Sequence, residues 1–340
     1  MRKDPILLTG VYRSGTTILS CMLGAHPDIN FTYGSVNYLR WFVKKKISPK
    51  NYKEIVLDTK DRIFKRYKKE INSDNIIKAI EESDVKISHA LIYSSIMEDF
   101  FQSKDKRWGE KTLLEWTNIP EFLEMYPDSR ALHIIRDPRD VIASFKGVTF
   151  EPRKRYLDAI FACMHSMDSC LSYKKSLPES RYYAVSYESL VTSPKSELEK
   201  ISDFLGIKYS DSMMDKSLYK DQFGDILEMS SHTSYSDNNN KLFGRWKDQL
   251  NNLDIALIEG LLSKQLNDFN YSDISGNGAT INELLSIIAD EDLLKSRFIN
   301  YLKTGEGCEE YPSDPTKEEN WTVLGEKNKG AASLYLKNKQ

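Results

Sequence analysis

The sequence lacks the features that define several large protein classes. Only four of its 340 residues are cysteine (Cys21, Cys163, Cys170 and Cys308). There is no CxxC pair and no metal-ligand spacing to the five histidines, which argues against a disulfide scaffold and against a metal site. Cys163 and Cys170 fall seven apart in a helical stretch and are expected to face the core. This cysteine usage fits a reducing, cytoplasmic setting. Neither sign of charge is in excess: 48 Lys and Arg stand against 50 Asp and Glu, a formal net charge of −2. No nucleic-acid partner is therefore expected, and any anion site has to be local. No apolar run approaches the ~20 residues that span a bilayer. The opening MRKDPILLTG has basic residues and a short apolar run but no small-residue cleavage site, so it reads as a first strand rather than a secretory signal. Internal repeats are absent.

The most informative segment is residues 5–29, PILLTGVYRSGTTILSCMLGAHPDI. An apolar run ends at Gly10, a glycine-bounded loop follows, and TTILSCML continues at helical spacing, which predicts a buried strand, a tight loop and a helix. A helix N-terminus behind such a loop is an anion cradle, and Arg13, Ser14, Gly15, Thr16 and Thr17 supply a cation, backbone N–H groups and hydroxyls in order. The Gly10-x4-Gly15 spacing is that of a nucleoside-triphosphate loop, but Thr16 and Thr17 stand where Lys and Ser or Thr are needed. The cradle is kept and the lysine that reaches a γ-phosphate is missing. The nucleotide so implied ends in a group other than a transferable phosphate. Read alone, the glycine pair is also compatible with an ordinary tight βα turn.

Strands alternating with helices predict an α/β fold with a P-loop-like, mainly parallel sheet flanked by helices, a helical insertion and a C-terminal extension. Ala131–Ile135 reads as a strand, with Asp137-Pro138 turning the chain and Asp140 capping a helix from about Val141. Helices are expected at 156–176, 194–205 (opened by Ser193-Pro194 and closed by Gly206), 253–268 and 280–303. Tyr182–Val185 reads as a further strand. Helical periodicity over 52–71 and 85–103 gives the insertion, about 36–105. Ser230–Asn240 reads as a mobile loop, SGNGAT as a linker and 304–340 as a polar, irregular tail. The expected division is a domain over 1–272 and an extension over 273–340.

Three further segments bear chemistry. Arg136-Asp137-Pro138-Arg139-Asp140 ends a strand, and Ser144 follows one turn beyond Asp140 on the same helix face, an arrangement suited to a second phosphate. Surface ion pairs are the plainer reading of that cluster. Trp108-Gly109-Glu110-Lys111-Thr112 is by itself an ordinary charged segment. Lys241, Gly244, Arg245 and Trp246 suit a flap over a purine and its phosphate, or a helix entry with exposed lysines.

Together these segments resemble the superfamily of sulfotransferases that use 3′-phosphoadenosine 5′-phosphosulfate (PAPS), in the group holding bacterial, carbohydrate and protein-tyrosine sulfotransferases. GVYRSGTTILSCMLGAHPDI, with His26-Pro27, resembles the 5′-phosphosulfate loop and helix. IIRDPRDVIASF resembles the 3′-phosphate motif, WGEKT the segment whose lysine meets the transferring group, and YESLVTSPKSELEKISDFLGI and GRWKDQL later signature segments. The resemblance covers about residues 5–272 in the family's order and none of 275–340. It implies 3′-phosphate contacts from Arg136 and Ser144, a sulfuryl contact from Lys111, adenosine 3′,5′-bisphosphate (PAP) as product, no metal, and a small-molecule, carbohydrate or peptide acceptor. Arg13 and Lys111 are the expected stabilisers of charge in transfer. Many relatives carry a Gly-Glu step shortly after His-Pro that supplies the general base. Here the stretch is Asn30-Phe31-Thr32-Tyr33-Gly34-Ser35-Val36, without an acid, and Leu113 replaces the proline usual after Lys-Thr. Glu110 and His89 are the alternative candidates for the base, although neighbours on an extended segment point oppositely, which sets Glu110 against Lys111. His89 is also read as a packed helix residue. The aromatics Tyr33, Tyr38, Trp41 and Phe42 either line an acceptor cleft or pack in the core. The tail from Ser275 caps the acceptor site, mediates a homodimer or does neither. Two other readings stand beside transfer: a PAPS-binding protein without catalysis, and a P-loop kinase, the latter opposed by Thr16 and by the lack of a clear Mg²⁺-binding strand acid.

Overall fold

The structure is a computed structural model and describes residues 4–147, 155–221, 223–227, 242–271, 280–290 and 292–304. The expected loop Ser230–Asn240, Lys241, Cys308, the SGNGAT linker up to residue 279 and the tail from 305 lie outside the described residues. Five parallel strands form one sheet in the order β2 (Ile29–Phe31), β3 (Arg107–Lys111), β1 (Ile6–Gly10), β4 (Arg130–Ile135) and β5 (Tyr182–Ser186). All five positions of β1 are buried, as a central parallel strand covered on both faces requires, and its sequence is accordingly a near-continuous apolar run. Side chains alternate across it. Leu7 joins a core with the helical insertion, and Ile6 and Leu8 join a second core on the opposite face.

The helices are α1 (Thr16–Gly24), α2 (Tyr38–Phe42), α3 (Tyr52–Tyr67), α4 (Ser73–Glu81), α5 (His89–Phe101), α6 (Ile119–Met125), α7 (Pro138–Lys146), α8 (Ala159–Ser176), α9 (Tyr187–Thr192), α10 (Pro194–Leu205), α11 (Trp246–Gln249), α12 (Asn252–Leu261), α13 (Ser263–Asp268), α14 (Ile281–Ala289) and α15 (Asp292–Thr304). The α/β class and the parallel sheet match the sequence reading, and the insertion between β2 and β3 consists of α2 to α5. Helix α10 ends as expected on Gly206, with φ 68°.

Several boundaries differ for local reasons. The WGEKT segment forms β3, second from the sheet edge. Its charges hide a strand whose Gly109 leaves room for Phe31: a Cβ there would lie 2.3 Å from Phe31 Cε2. The cap of α7 is Asp137, whose carboxylate accepts from Arg139 N at 2.9 Å, and not Asp140. The 52–71 stretch stops at Tyr67 because Lys68 turns left-handed (φ 50°), and Asn72 opens α4, which periodicity alone had not separated. The 253–268 stretch breaks at Leu262, and the 280–303 stretch divides into α14 and α15. Those two helices pack on the main core: Leu294 is fully buried, and Phe298 and Tyr301 lie 6.1 and 5.9 Å from the Phe161 ring of α8.

Candidate active site

Parallel strands of this topology end together, and the crevice beyond their C-terminal ends is where loops can meet a ligand. Loop 11–15 leaves β1 there. Gly10 is needed for close packing, since a Cβ would meet Ile134 O at 2.7 Å, and Gly15 for its left-handed φ of 99°. Arg13 is also left-handed (φ 65°), a conformation that costs a non-glycine residue about 1–2 kcal/mol and that accumulates at functional sites. No side chain caps α1, so its first N–H groups point into the crevice without a side-chain partner.

The segment from Arg136 to Ser144 converges on this loop. Arg13 Nε donates to Ser144 Oγ at 3.0 Å. Arg136 donates to Arg13 O (2.8 Å) and to Leu242 O (3.1 Å), with its guanidinium 4.2 Å from the Tyr187 ring centroid. Its Nε is buried without a hydrogen-bond partner among the described residues. Lys111, at the end of β3, reaches Thr17 Oγ1 at 3.0 Å. Burial pushes the Lys111 amine down to about 7, helped by the positive charges of Arg66 and Arg13. Arg13, Thr17, Lys111, Arg136 and Ser144 are thus brought together from three strand ends. Ser14 is turned inward, its hydroxyl donating to Val11 O at 2.5 Å.

The 242–246 segment is pinned to α7 by Asp140, whose carboxylate accepts from Gly244 N (2.6 Å) and Trp246 N (3.1 Å). Burial raises the Asp140 pKa, against the opposing effect of Arg136. Trp246 is buried, with the Arg139 guanidinium 4.1 Å from its ring centroid. Arg139 pairs with Asp137 and Glu259 (2.8 and 2.9 Å), which makes it a structural arginine. Arg245 is half-buried.

The model of the sulfotransferase family matches residues 5–211. This chain belongs to the sulfotransferase family. It is 24% identical over 217 residues to protein-tyrosine sulfotransferase A of Caenorhabditis elegans, a match covering 62% of this chain and 51% of that protein. It is 25% identical over 220 residues to protein-tyrosine sulfotransferase 2 of Gallus gallus, covering 62% and 53%. The chain spans about half the length of these curated relatives. The fold is shared with the sulfotransferase domain of the Synechococcus PCC 7002 olefin synthase, at a TM-score of 0.55 and 20% identity over 79% of this chain and 96% of that one.

On the other side of Lys111, a second buried acid-bearing cluster lies in this sulfotransferase-family chain. Glu110 and Lys111 point to opposite faces of β3, as strand neighbours do. Glu110 is 1% exposed, and its Oε1 accepts from Ser35 Oγ (2.8 Å), Val36 N (2.6 Å) and Asn37 N (3.0 Å). Burial raises its pKa to about 7 in spite of those bonds. His89 uses both ring nitrogens, on Tyr38 Oη and Lys45 O, as a packed helix residue would. Tyr38 and Phe42 are core residues, Tyr38 stacking on Tyr93 at 4.4 Å. Trp41 lies under Arg62 at 4.3 Å. Only Tyr33 of the four aromatics faces the site, its ring centroid 5.3 Å from Lys111 Nζ.

Sequence reasoning missed Ser35 and Arg66. Arg66 of α3 lies against Gly34, where a Cβ would be 3.1 Å from its Nε, and that nitrogen is buried without a partner among the described residues. No motif marked it; the only signal was that the insertion has to pack somewhere along the edge of the sheet.

Proposed function

We propose that this protein transfers the sulfuryl group of PAPS to a hydroxyl or amine of a small-molecule, carbohydrate or peptide acceptor, and that residues 1–272 form the transferring domain. The observation that carries the reading is the convergence of Arg13, Lys111, Arg136 and Ser144 on one cradle. The buried, unpartnered Arg136 Nε is the kind of donor a 3′-phosphate would satisfy, and two arginines, Arg13 and Arg66, that both disfavour the charge on Lys111 fit a polyanionic ligand.

In this reading the N–H groups of α1, with Thr16 and Thr17, hold the 5′ end, while Arg136 and Ser144 hold the 3′-phosphate. Gly244 and Arg245 border the purine side, and buried Trp246 anchors that segment to α7. PAPS supplies the activated sulfuryl group. Arg13 and Lys111 stabilise the charge that develops on the leaving oxygen and the sulfuryl oxygens, and the protein's main work is alignment and charge stabilisation. The names of the curated relatives put a tyrosine hydroxyl within the acceptor range. A reducing, cytoplasmic compartment fits the free thiols of Cys21, Cys163 and Cys170.

A second reading, a PAPS-binding protein without turnover, is favoured by the missing acid over residues 30–36. PAPS consumption with a panel of alcohols, phenols and amines, beside calorimetric titration with PAP, separates the two. Arg13→Ala and Lys111→Ala are each expected to lower turnover about 10²–10³-fold. Turnover within a few-fold of the native protein in both would remove these residues from the charge-stabilising role.

A further inference from the structure

Residues 30–36 carry no carboxylate of their own, and one reaches that turn from the neighbouring strand. Glu110 comes up from β3, 75 residues away, and its Oε1 takes the proton of Ser35 Oγ at 2.8 Å. The same oxygen is held by Val36 N and Asn37 N, so the carboxylate cannot swing toward a substrate. Ser35 carries the one hydroxyl bonded to Glu110 among the described residues. That hydroxyl accepts from Asn37 N at 2.9 Å. A hydroxyl oxygen has a second acceptor position, which is left for an incoming O–H or N–H. Tyr33, two residues earlier on the same turn, lies against Lys111, and Arg66 flanks Gly34 while acting electrostatically on Lys111. The turn bearing Ser35, itself 4% exposed, is thus the one that packs against Lys111 through Tyr33.

We propose that Ser35 and Glu110 form a two-step proton relay that deprotonates the acceptor. The proposal rests on the sulfuryl-transfer reading and assigns its deprotonating group. As the acceptor oxygen bonds to sulfur and the bond from sulfur to the 5′-phosphate oxygen breaks, the electron pair leaves with PAP. The acceptor's proton passes to Ser35 Oγ, and the serine's own proton passes to Glu110 Oε1, so that the carboxylate ends as a neutral acid. Ser35 touches the acceptor; Glu110 acts only through Ser35.

The groups that bear on Glu110 are few. Glu115, beyond β3, raises its pKa and is itself paired with Arg40 at 2.5 Å and with Asn118 at 2.6 Å. From α3, the Tyr67 hydroxyl feels both Glu110 and Arg66. Lys111 is adjacent in sequence on the other face. A relay through a carboxylate of this kind gives a rate that rises with pH through about 7, the value to which burial brings Glu110. Any falling limb at higher pH belongs to Lys111, which is needed as the ammonium.

The test follows kcat against pH for the native protein, Ser35→Ala, Ser35→Thr and Glu110→Gln. PAPS is the donor, and the acceptors are benzyl alcohol, which has to be deprotonated, pentafluorophenol, which is already ionised at neutral pH, and water, scored as PAPS hydrolysis. Ser35→Ala is expected to lower kcat with benzyl alcohol about 10²–10⁴-fold, the range of a lost general base, and to remove the rising limb. With pentafluorophenol the loss should be within a few-fold, Ser35→Thr should restore the limb, and PAP affinity should be unchanged in all. A merely structural Ser35 would weaken both acceptors alike and leave the limb in place, which overturns the relay. Ser35→Ala keeps the Val36 and Asn37 bonds to Glu110, so the test stands if Glu110→Gln fails to fold. A native protein that binds PAP yet transfers to none of the three acceptors overturns the transfer reading, and the relay with it.

Discussion

Arg13 and Ser144, 131 residues apart, are joined by a 3.0 Å hydrogen bond from the arginine Nε to the serine hydroxyl. The bond ties the loop after β1 to α7, so the two elements proposed to bind phosphate are preset relative to one another. Ser144→Ala removes both that bond and the hydroxyl proposed to meet the 3′-phosphate; a hydrogen bond to a charged group is worth about 1.5–3 kcal/mol, so PAP binding is expected to weaken on the order of 10–100-fold and the melting temperature of the free protein to fall as well. Calorimetric titration checks it; a change under twofold would take Ser144 out of the site.

Arg136→Ala tests the other half of that cradle. Its guanidinium holds Arg13 O and stacks on Tyr187, with a buried Nε left over. A loss confined to the 3′-phosphate would weaken PAP by roughly 10–100-fold, the scale of a charge-assisted hydrogen bond, and leave AMP binding within a few-fold. Equal losses for both nucleotides would mean that Arg136 serves only to hold the loop.

The proposed nucleotide side was legible because its residues are contiguous: Arg13 to Thr17 and Arg136 to Ser144 fall in two unbroken βα units whose strand and helix periods are plain. The proposed acceptor side was not. Ser35 meets Glu110, and Arg66 meets Gly34, only because β2, β3 and α3 pack together, and no local pattern encodes those pairings. Strand β3 itself was hidden by its charges, since burial of Arg107, Glu110 and Lys111 is tolerable only once their partners are folded around them. Asp137 rather than Asp140 caps α7 for a simpler reason: Asp140 is drawn off to the 244–246 backbone.

In the proposed site, Lys111 predicts that nucleotide binding is linked to pH. Burial first, then Arg66 and Arg13, bring its amine down to about 7. In the free protein it is therefore mostly neutral at pH 8, and a bound polyanion favours the ammonium and raises that pKa. Binding at pH 8 should take up as much as one proton, and affinity should fall as pH rises above about 7. Titrations with PAP in buffers of different ionisation enthalpy measure the uptake. Lys111→Met should abolish it, and Arg66→Ala should reduce it by letting the free amine's pKa rise. Uptake unchanged in Lys111→Met would assign the proton elsewhere.

Helix α15 decides whether the chain beyond residue 272 is an appendage or part of the fold. Leu294 is completely buried, Tyr301 donates its hydroxyl to Asp168 of α8 at 3.1 Å, and Phe298 and Tyr301 cover Phe161. An independent extension would melt by itself, and Leu294→Ala would then shift only a transition insensitive to PAP. Packing of this kind instead predicts one cooperative transition, raised by PAP, which Leu294→Ala lowers by about 2–5 kcal/mol, the usual cost of a cavity left by a buried leucine. Differential scanning calorimetry with and without PAP distinguishes the cases. Since α8 also carries Ser166, which bonds His133 of β4 at 2.8 Å, loosening α15 should reach the sheet through α8, and a PAP-insensitive first transition would show that it does not.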